Sequence, residues 1–243
     1  MSDSDPEHLM EVTGDSARSL DILARALHVK NAELQPTLEA IVSTATRMLS
    51  PARHAGLTVI SRGEFTPRAS TGEVPLLLDR LQQELGDGPC ISAARDQTIF
   101  RIEDTGRNEC WPKFSAEAAR LDVCSMLCVP LWIDERSLGA LSLYASQVAA
   151  FTDLHERVTT LLATFAALAL AEAQRAGQLH DALSNRDVIG QAKGILMERH
   201  SLTADAAFSV LSRVSQAGNI KLAEVAHDLV QTGKLPGVSS PDS

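Results

Sequence analysis

Eleven consecutive residues, Leu161–Ala171, are apolar but for one threonine. They continue a pattern that steps by four and three, Leu154, Val158, Leu161, Phe165, Leu168, which predicts a long helix with the spacing of a coiled-coil seam. Thr152 is a good N-cap for it. A helix apolar on every side must be covered on every side. In a chain of 243 residues one face is expected to lie on a sheet and the other on a second copy of the chain. The alternative is a monomer in which an N-terminal helix covers the second face. The apolar stretch is too short to span a bilayer. The acidic start (Asp3, Asp5, Glu7, Glu11, Asp15) has neither the basic nor the apolar region of a signal peptide. A cytoplasmic protein without a membrane contact is therefore expected.

The rest of the chain arranges itself around that helix. Residues 1–18 are polar and acidic and read as disordered. Leu20, Leu23, Ala24 and Leu27 mark a first helix, and Leu38, Ile41, Val42, Ala45 and Leu49 a second that Pro51 ends. Strands are expected at 56–61, 64–70, 98–102, 123–133 and 138–145, the last two joined as a hairpin by Asp134–Ser137. Helices are expected at 75–85 and 112–121, with Gly86-Asp87-Gly88-Pro89 as a breaker after the first. This order suggests an α+β or α/β unit around one sheet, followed by a connector helix over 152–185. Three short amphipathic helices then form a bundle over 181–235, before a loose tail at 236–243.

Composition narrows the chemistry. The net charge is −9 and aromatic residues make up 4%, so neither non-specific nucleic-acid binding by the whole molecule nor an aromatic stacking platform is encoded. The four cysteines (Cys90, Cys110, Cys124, Cys128) form no CxxC pair, and no clustered ligand set for a metal is expected. Cys124 and Cys128 fall on one face of an apolar strand and read as core. Cys90 and Cys110 fall in expected loops, which leaves open a thiol enzyme or redox switch using that pair. His54 and His155 read as ordinary rather than as haem ligands.

The bundle carries the clearest signal. Its first helix, expected from Asn185 to His200, buries Val188, Ile189, Ala192, Ile195 and Leu196, with Gly190 and Gly194 opposite. Each interior glycine costs a helix roughly 1 kcal/mol relative to alanine. Two of them facing outward provide close approach to an RNA backbone or a partner helix, or pack on the connector or a neighbouring bundle. The second helix follows Thr203 with Ala207, Phe208, Val210, Leu211 and Val214 as its apolar set. The third is expected from Asn219 as cap, with Leu222, Val225, Ala226, Leu229 and Val230. Residues 181–235 hold six basic and six acidic side chains. That balance disfavours duplex DNA and fits a few unstacked bases in an RNA loop.

The run Arg186–Arg199 (RDVIGQAKGILMER) resembles the signature of the ANTAR domain, and the likeness continues through Ala206, Ala207, Phe208, Leu211, Ser215, Asn219, Lys221, Leu222 and Ala226. Residues 30–172 resemble a GAF domain, notably at Gly86-Asp87-Gly88-Pro89-Cys90 and Trp111-Pro112. The resemblance implies an α+β fold: a PAS-like antiparallel sheet flanked by helices within 19–172, then the connector helix and the three-helix bundle. It also implies a non-enzymatic transcription antitermination regulator whose homodimer, formed through the GAF-like domain and long helix, binds two hairpins of a nascent leader RNA. Carried over by residue, Gln191, Lys193, Gly194 and Arg199 would contact RNA first, with Arg213, Ser215, Asn219 and Lys221 second. Lysine and arginine would neutralise phosphates, while glutamine, serine and asparagine would reach bases or sugars. Ser215 could instead tighten a helix end, and Arg199 could snorkel along the apolar face. GAF domains bind small molecules, haem or bilins, or only dimerise, so a small-molecule ligand stays open and no cofactor is named. Some GAF proteins are methionine sulfoxide reductases, which is the enzyme alternative for Cys90 and Cys110. The strand 56–61 ends in Ser-Arg-Gly rather than aspartate, so a phosphoryl-receiver domain is not expected.

Overall fold

The computed structural model describes residues 34–61 and 63–236. The expected N-terminal helix, the segment 1–18 and the tail beyond Pro236 lie outside the described residues. Contacts divide the chain into two compact units, with the division between Ala173 and Gln174.

The first unit is built on five antiparallel strands in the order β2-β1-β5-β4-β3. They are β1 (His54–Ser61), β2 (Glu64–Ser70), β3 (Phe100–Ile102), β4 (Ser125–Ile133) and β5 (Arg136–Ala145). The β4–β5 hairpin is tighter than expected, since Ile133 pairs Arg136. Its two turn residues, Asp134 and Glu135, both take positive φ (47° and 62°), the left-handed pair that suits the twist of a two-residue hairpin.

Both faces of the sheet are covered, which explains why β4 and β5 read as continuous apolar runs. Leu57, Val59, Leu127, Val129, Leu131, Leu141 and Leu143 pack against α1 (Leu34–Met48) and the start of α5 (Asp153–His200). Met126, Cys128, Ala140 and Tyr144, of opposite parity, pack under α2 (Glu73–Leu85), α3 (Pro89–Asp96) and α4 (Pro112–Arg120). Helix α3 corrects the sequence reading, which stopped at a breaker. Gly86 does end α2 in the left-handed conformation, but Pro89 then opens a new helix at a first-turn position that needs no N–H. Cys90 is therefore helical and buried, not in a loop.

The long helix also differs from expectation. It runs unbroken for 48 residues, because the polar stretch after Glu172 is rich in Ala, Gln, Arg and Leu, which are good helix formers. No boundary separates a connector from the first bundle helix. At its start Thr152 N–H donates to His155 Nδ1 (3.0 Å), so the imidazole plays the reciprocal part of a capping box. One side of its apolar stretch (Leu162, Ala163, Ala166, Ala167, Leu170) is buried against the sheet. The other is exposed: Leu154, Leu161 and Leu168, seven residues apart, are 57%, 41% and 47% accessible. By length and a mean hydropathy of 1.2 over 18 residues the helix could cross a membrane. Its buried side is nonetheless committed to the sheet, as in a core helix.

In the second unit the end of α5 packs with α6 (Ala204–Gly218) and α7 (Leu222–Thr232) around Ala192, Leu196, Ala207, Leu211, Val225, Ala226 and Leu229. Thr203 caps α6 by accepting from Ala206 N–H. Asn219, expected to cap α7, instead ends α6 in the left-handed conformation (φ 48°), and Lys221 holds the N-cap position of α7. Asparagine tolerates that conformation better than most residues. Phe208, expected in the core, is 43% exposed.

Candidate functional site

On the outer side of the bundle, Gly190 and Gly194 are both exposed, and a Cβ built on either meets nothing within 4 Å. The first helix therefore presents a strip of bare backbone to solvent. Half-buried Lys193 borders it, its ammonium 5.9 Å from the centroid of the Phe208 ring on α6, within cation–π range. Met197, one turn on from Lys193, is also exposed.

The eight residues singled out in the bundle divide by role. Gln191 lines an open polar groove of about 420 Å³ with His180, Asp187, His227 and Gln231. Arg213 lines a different, mainly apolar one with Val214, Ile220 and Leu235. Lys193 and Gly194 belong to the bare strip. Three others have structural work: Arg199 donates to the carbonyl of Gly233, Ser215 donates to that of Ile220 (2.6 Å), and Asn219 shapes the α6–α7 turn. Lys221 is exposed. Phe208 was missed as a surface residue. Its position on the helical wheel, about 100° from Ala207 and 60° from Leu211, was the available signal.

The first unit holds its polar chemistry inside. In one row across the sheet, Gly56 pairs Ser142 and Ser142 pairs Cys128. A side chain at Gly56 would collide with Pro75, its Cβ only 2.8 Å from that of the proline, so glycine lets α2 settle on the strand. Above the row, Cys90 N–H donates to Gln82 Oε1 (2.8 Å) and Gln82 Nε2 donates to Cys90 Sγ (3.2 Å). Gly88 is needed beneath Gln82, because a Cβ there would strike the glutamine side chain at a backbone φ of 156°. Ser142 Oγ lies 3.0 Å from Cys90 Sγ and 3.5 Å from Cys128 Sγ, and the two sulfurs are 3.7 Å apart. Tyr144 Oη is 3.8 Å from Cys90 Sγ.

Nearby, Asp79 is buried and accepts from Thr58 Oγ1 (2.6 Å). Burial raises its pKa to about 6, against the opposing effect of that hydrogen bond. The hydrogen bond from Cys128 lowers the Cys90 thiol, whereas burial first of all raises Cys128 and Tyr144. Cys110 is exposed and Cys124 half-buried, so Cys124 is less a core residue than expected. His155 Nδ1 is engaged by Thr152 N–H, and burial lowers its pKa. Among the described residues no group of three or more His, Cys, Asp or Glu side chains could hold a metal ion.

Residues 31–171 match the GAF domain family and residues 177–230 the ANTAR domain family. No curated protein matches the chain significantly. Among solved structures, the GAF domain of a phosphoenolpyruvate-protein phosphotransferase from Coxiella burnetii is 19% identical, over 68% of this chain and 97% of that one, with a TM-score of 0.52. The corresponding domain from Acinetobacter gives 17%, 66%, 98% and 0.52. A free methionine-R-sulfoxide reductase from Neisseria meningitidis, in complex with its substrate, gives 16%, 72%, 96% and 0.51. At these identities the likeness shows the fold alone. Sheet order, the helix-covered faces and both family matches agree, and the chain belongs to the GAF-domain family, with an ANTAR domain at its C-terminal end.

Proposed function

We propose that the chain is an RNA-binding transcription antitermination regulator that acts in the cytoplasm. Its ANTAR unit binds paired hairpins in nascent leader RNA, under the control of a signal received by the GAF unit. The observation that carries the reading is the bare backbone strip at Gly190 and Gly194, bordered by Lys193 and the exposed Phe208 ring. An unstacked loop base would lie on that ring while Lys193 meets a phosphate, a combination suited to single-stranded RNA and not to duplex DNA. Gln191 and Lys221, both exposed, would supply further contacts. Arg199 and Ser215 act through the shape of the bundle.

The working form is a homodimer. The exposed leucines at 154, 161 and 168 recur at the seven-residue interval of a two-helix seam. Two ANTAR units on one RNA gain affinity through effective concentration, so two hairpins should bind far more tightly than one. The test is a titration at fixed salt with a two-hairpin leader RNA, a single-hairpin control and a scrambled loop. Loop-specific binding that needs both hairpins and weakens in Lys193→Ala is expected. Equal binding of all three RNAs would refute the reading.

A further inference from the structure

We propose that Cys90 and Cys128 form a modification site: a buried dithiol that a small hydroperoxide converts to an intrachain disulfide. The inference concerns the GAF unit alone and does not rest on the RNA reading.

The two sulfurs already touch at 3.7 Å, and bond formation needs an approach to about 2 Å. They come from different elements, the first turn of α3 and the middle of β4, 38 residues apart in sequence. Cys90 sits where a thiolate is best supported. Cys90 lies in the first turn of α3, the end where the helix dipole favours negative charge. Gln82 Nε2 donates to the sulfur, and the Ser142 hydroxyl is within reach. Burial above all raises the Cys128 thiol, so it keeps its proton, and its hydrogen bond lowers Cys90. Such a pair has an attacking sulfur and a resolving sulfur already in contact. Cys110, exposed on the surface, belongs to neither role.

The chemistry closes without another reagent. The Cys90 thiolate attacks one peroxide oxygen, the O–O bond breaks, and a sulfenic acid forms. The leaving alkoxide takes the proton that Cys90 lost and departs as an alcohol, or as water when the oxidant is hydrogen peroxide. Cys128 then attacks the sulfenic sulfur, the S–O bond breaks, and hydroxide leaves as water with the Cys128 proton. The two sulfurs give up two electrons, and the peroxide takes both. Cys90 is 2% accessible and Cys128 fully buried, so the site selects an oxidant of nearly the size of water over bulky disulfides.

The full chain is exposed to hydrogen peroxide, unfolded in an alkylating reagent, digested and weighed by mass spectrometry. The expected product is a Cys90 peptide joined to a Cys128 peptide, two hydrogens lighter than the reduced pair and released by dithiothreitol. It persists in Cys110→Ser and disappears in Cys128→Ser, where oxidised Cys90 carries oxygen instead. Wild-type protein in which Cys110 oxidises while Cys90 and Cys128 remain fully alkylated overturns the proposal, as does Cys90 joined to Cys110 or Cys124.

Discussion

The two units put their polar chemistry in opposite places. The GAF unit closes it in: Asp79, Gln82, Cys90, Ser142 and Tyr144 are all buried between the sheet and α2–α3. The ANTAR unit has only seven buried apolar residues among those described, too few to hide anything, and keeps its distinctive features on the outside. An interior of that size leaves polar groups one place to be useful, which is the surface. A two-faced sheet can bury a polar cluster because each face has its own apolar surroundings to support it.

The contrast is most easily broken at the smaller core. Leu211→Ala should cost about 3 kcal/mol and unfold the bundle while the GAF unit melts as before. Two separate transitions in a thermal scan followed by circular dichroism would show this, and a single shared transition would mean that the units fold as one.

The buried carboxyl sharpens it from the other side. Asp79 titrates near 6 in the folded chain against 3.8 in the ordinary state, a penalty of about 3 kcal/mol when fully developed. Below pH 3.8 both states hold the proton and nothing is lost. Between pH 3.8 and 6 the unfolded chain ionises first and stability falls; above 6 the loss is complete. Asp79→Asn should therefore stabilise the GAF unit at pH 8 and leave its melting temperature unchanged at pH 3.5. A gain that is equal at both values would contradict this assignment.

On the exposed side, Phe208→Ala should weaken loop-RNA binding by about 2 kcal/mol, the order expected for one stacked base, with little change in the melting of the bundle. The smallest effect is the most diagnostic. Gly194→Ala should stabilise the helix by roughly 1 kcal/mol yet reduce RNA affinity, because its methyl group would stand on the bare strip. Tighter RNA binding by this variant would remove that strip from the interface.

Much of this was legible in the residues. The β4–β5 hairpin followed from two apolar runs around Asp134–Ser137, and the bundle core from the periodicities of Val188–Leu196 and Leu222–Val230. Helix α3 was not legible, since Gly-Asp-Gly-Pro marks a turn and nothing local shows that the turn leads straight into a helix. The Cys90–Cys128 contact was hidden for the same reason. It depends on which helix lands on which strand, and even spacing along β4 showed only the face of Cys128. Asn219 misled because one residue type suits both a helix start and a left-handed helix end. Arg199, suspected of lying toward the apolar side, is exposed and donates to the carbonyl of Gly233.

The two outward glycines have a consequence for the thermodynamics of contact. A long side chain held still at an interface costs about 0.5–1.5 kcal/mol of lost freedom, and glycine has no rotamers to lose. Lys193, resting over Phe208, has already given up part of its own. A partner laid on this strip would thus meet a surface whose disorder was removed when the bundle folded, which is how, on the proposed reading, a patch with no excess of positive charge would hold a ligand as charged as RNA.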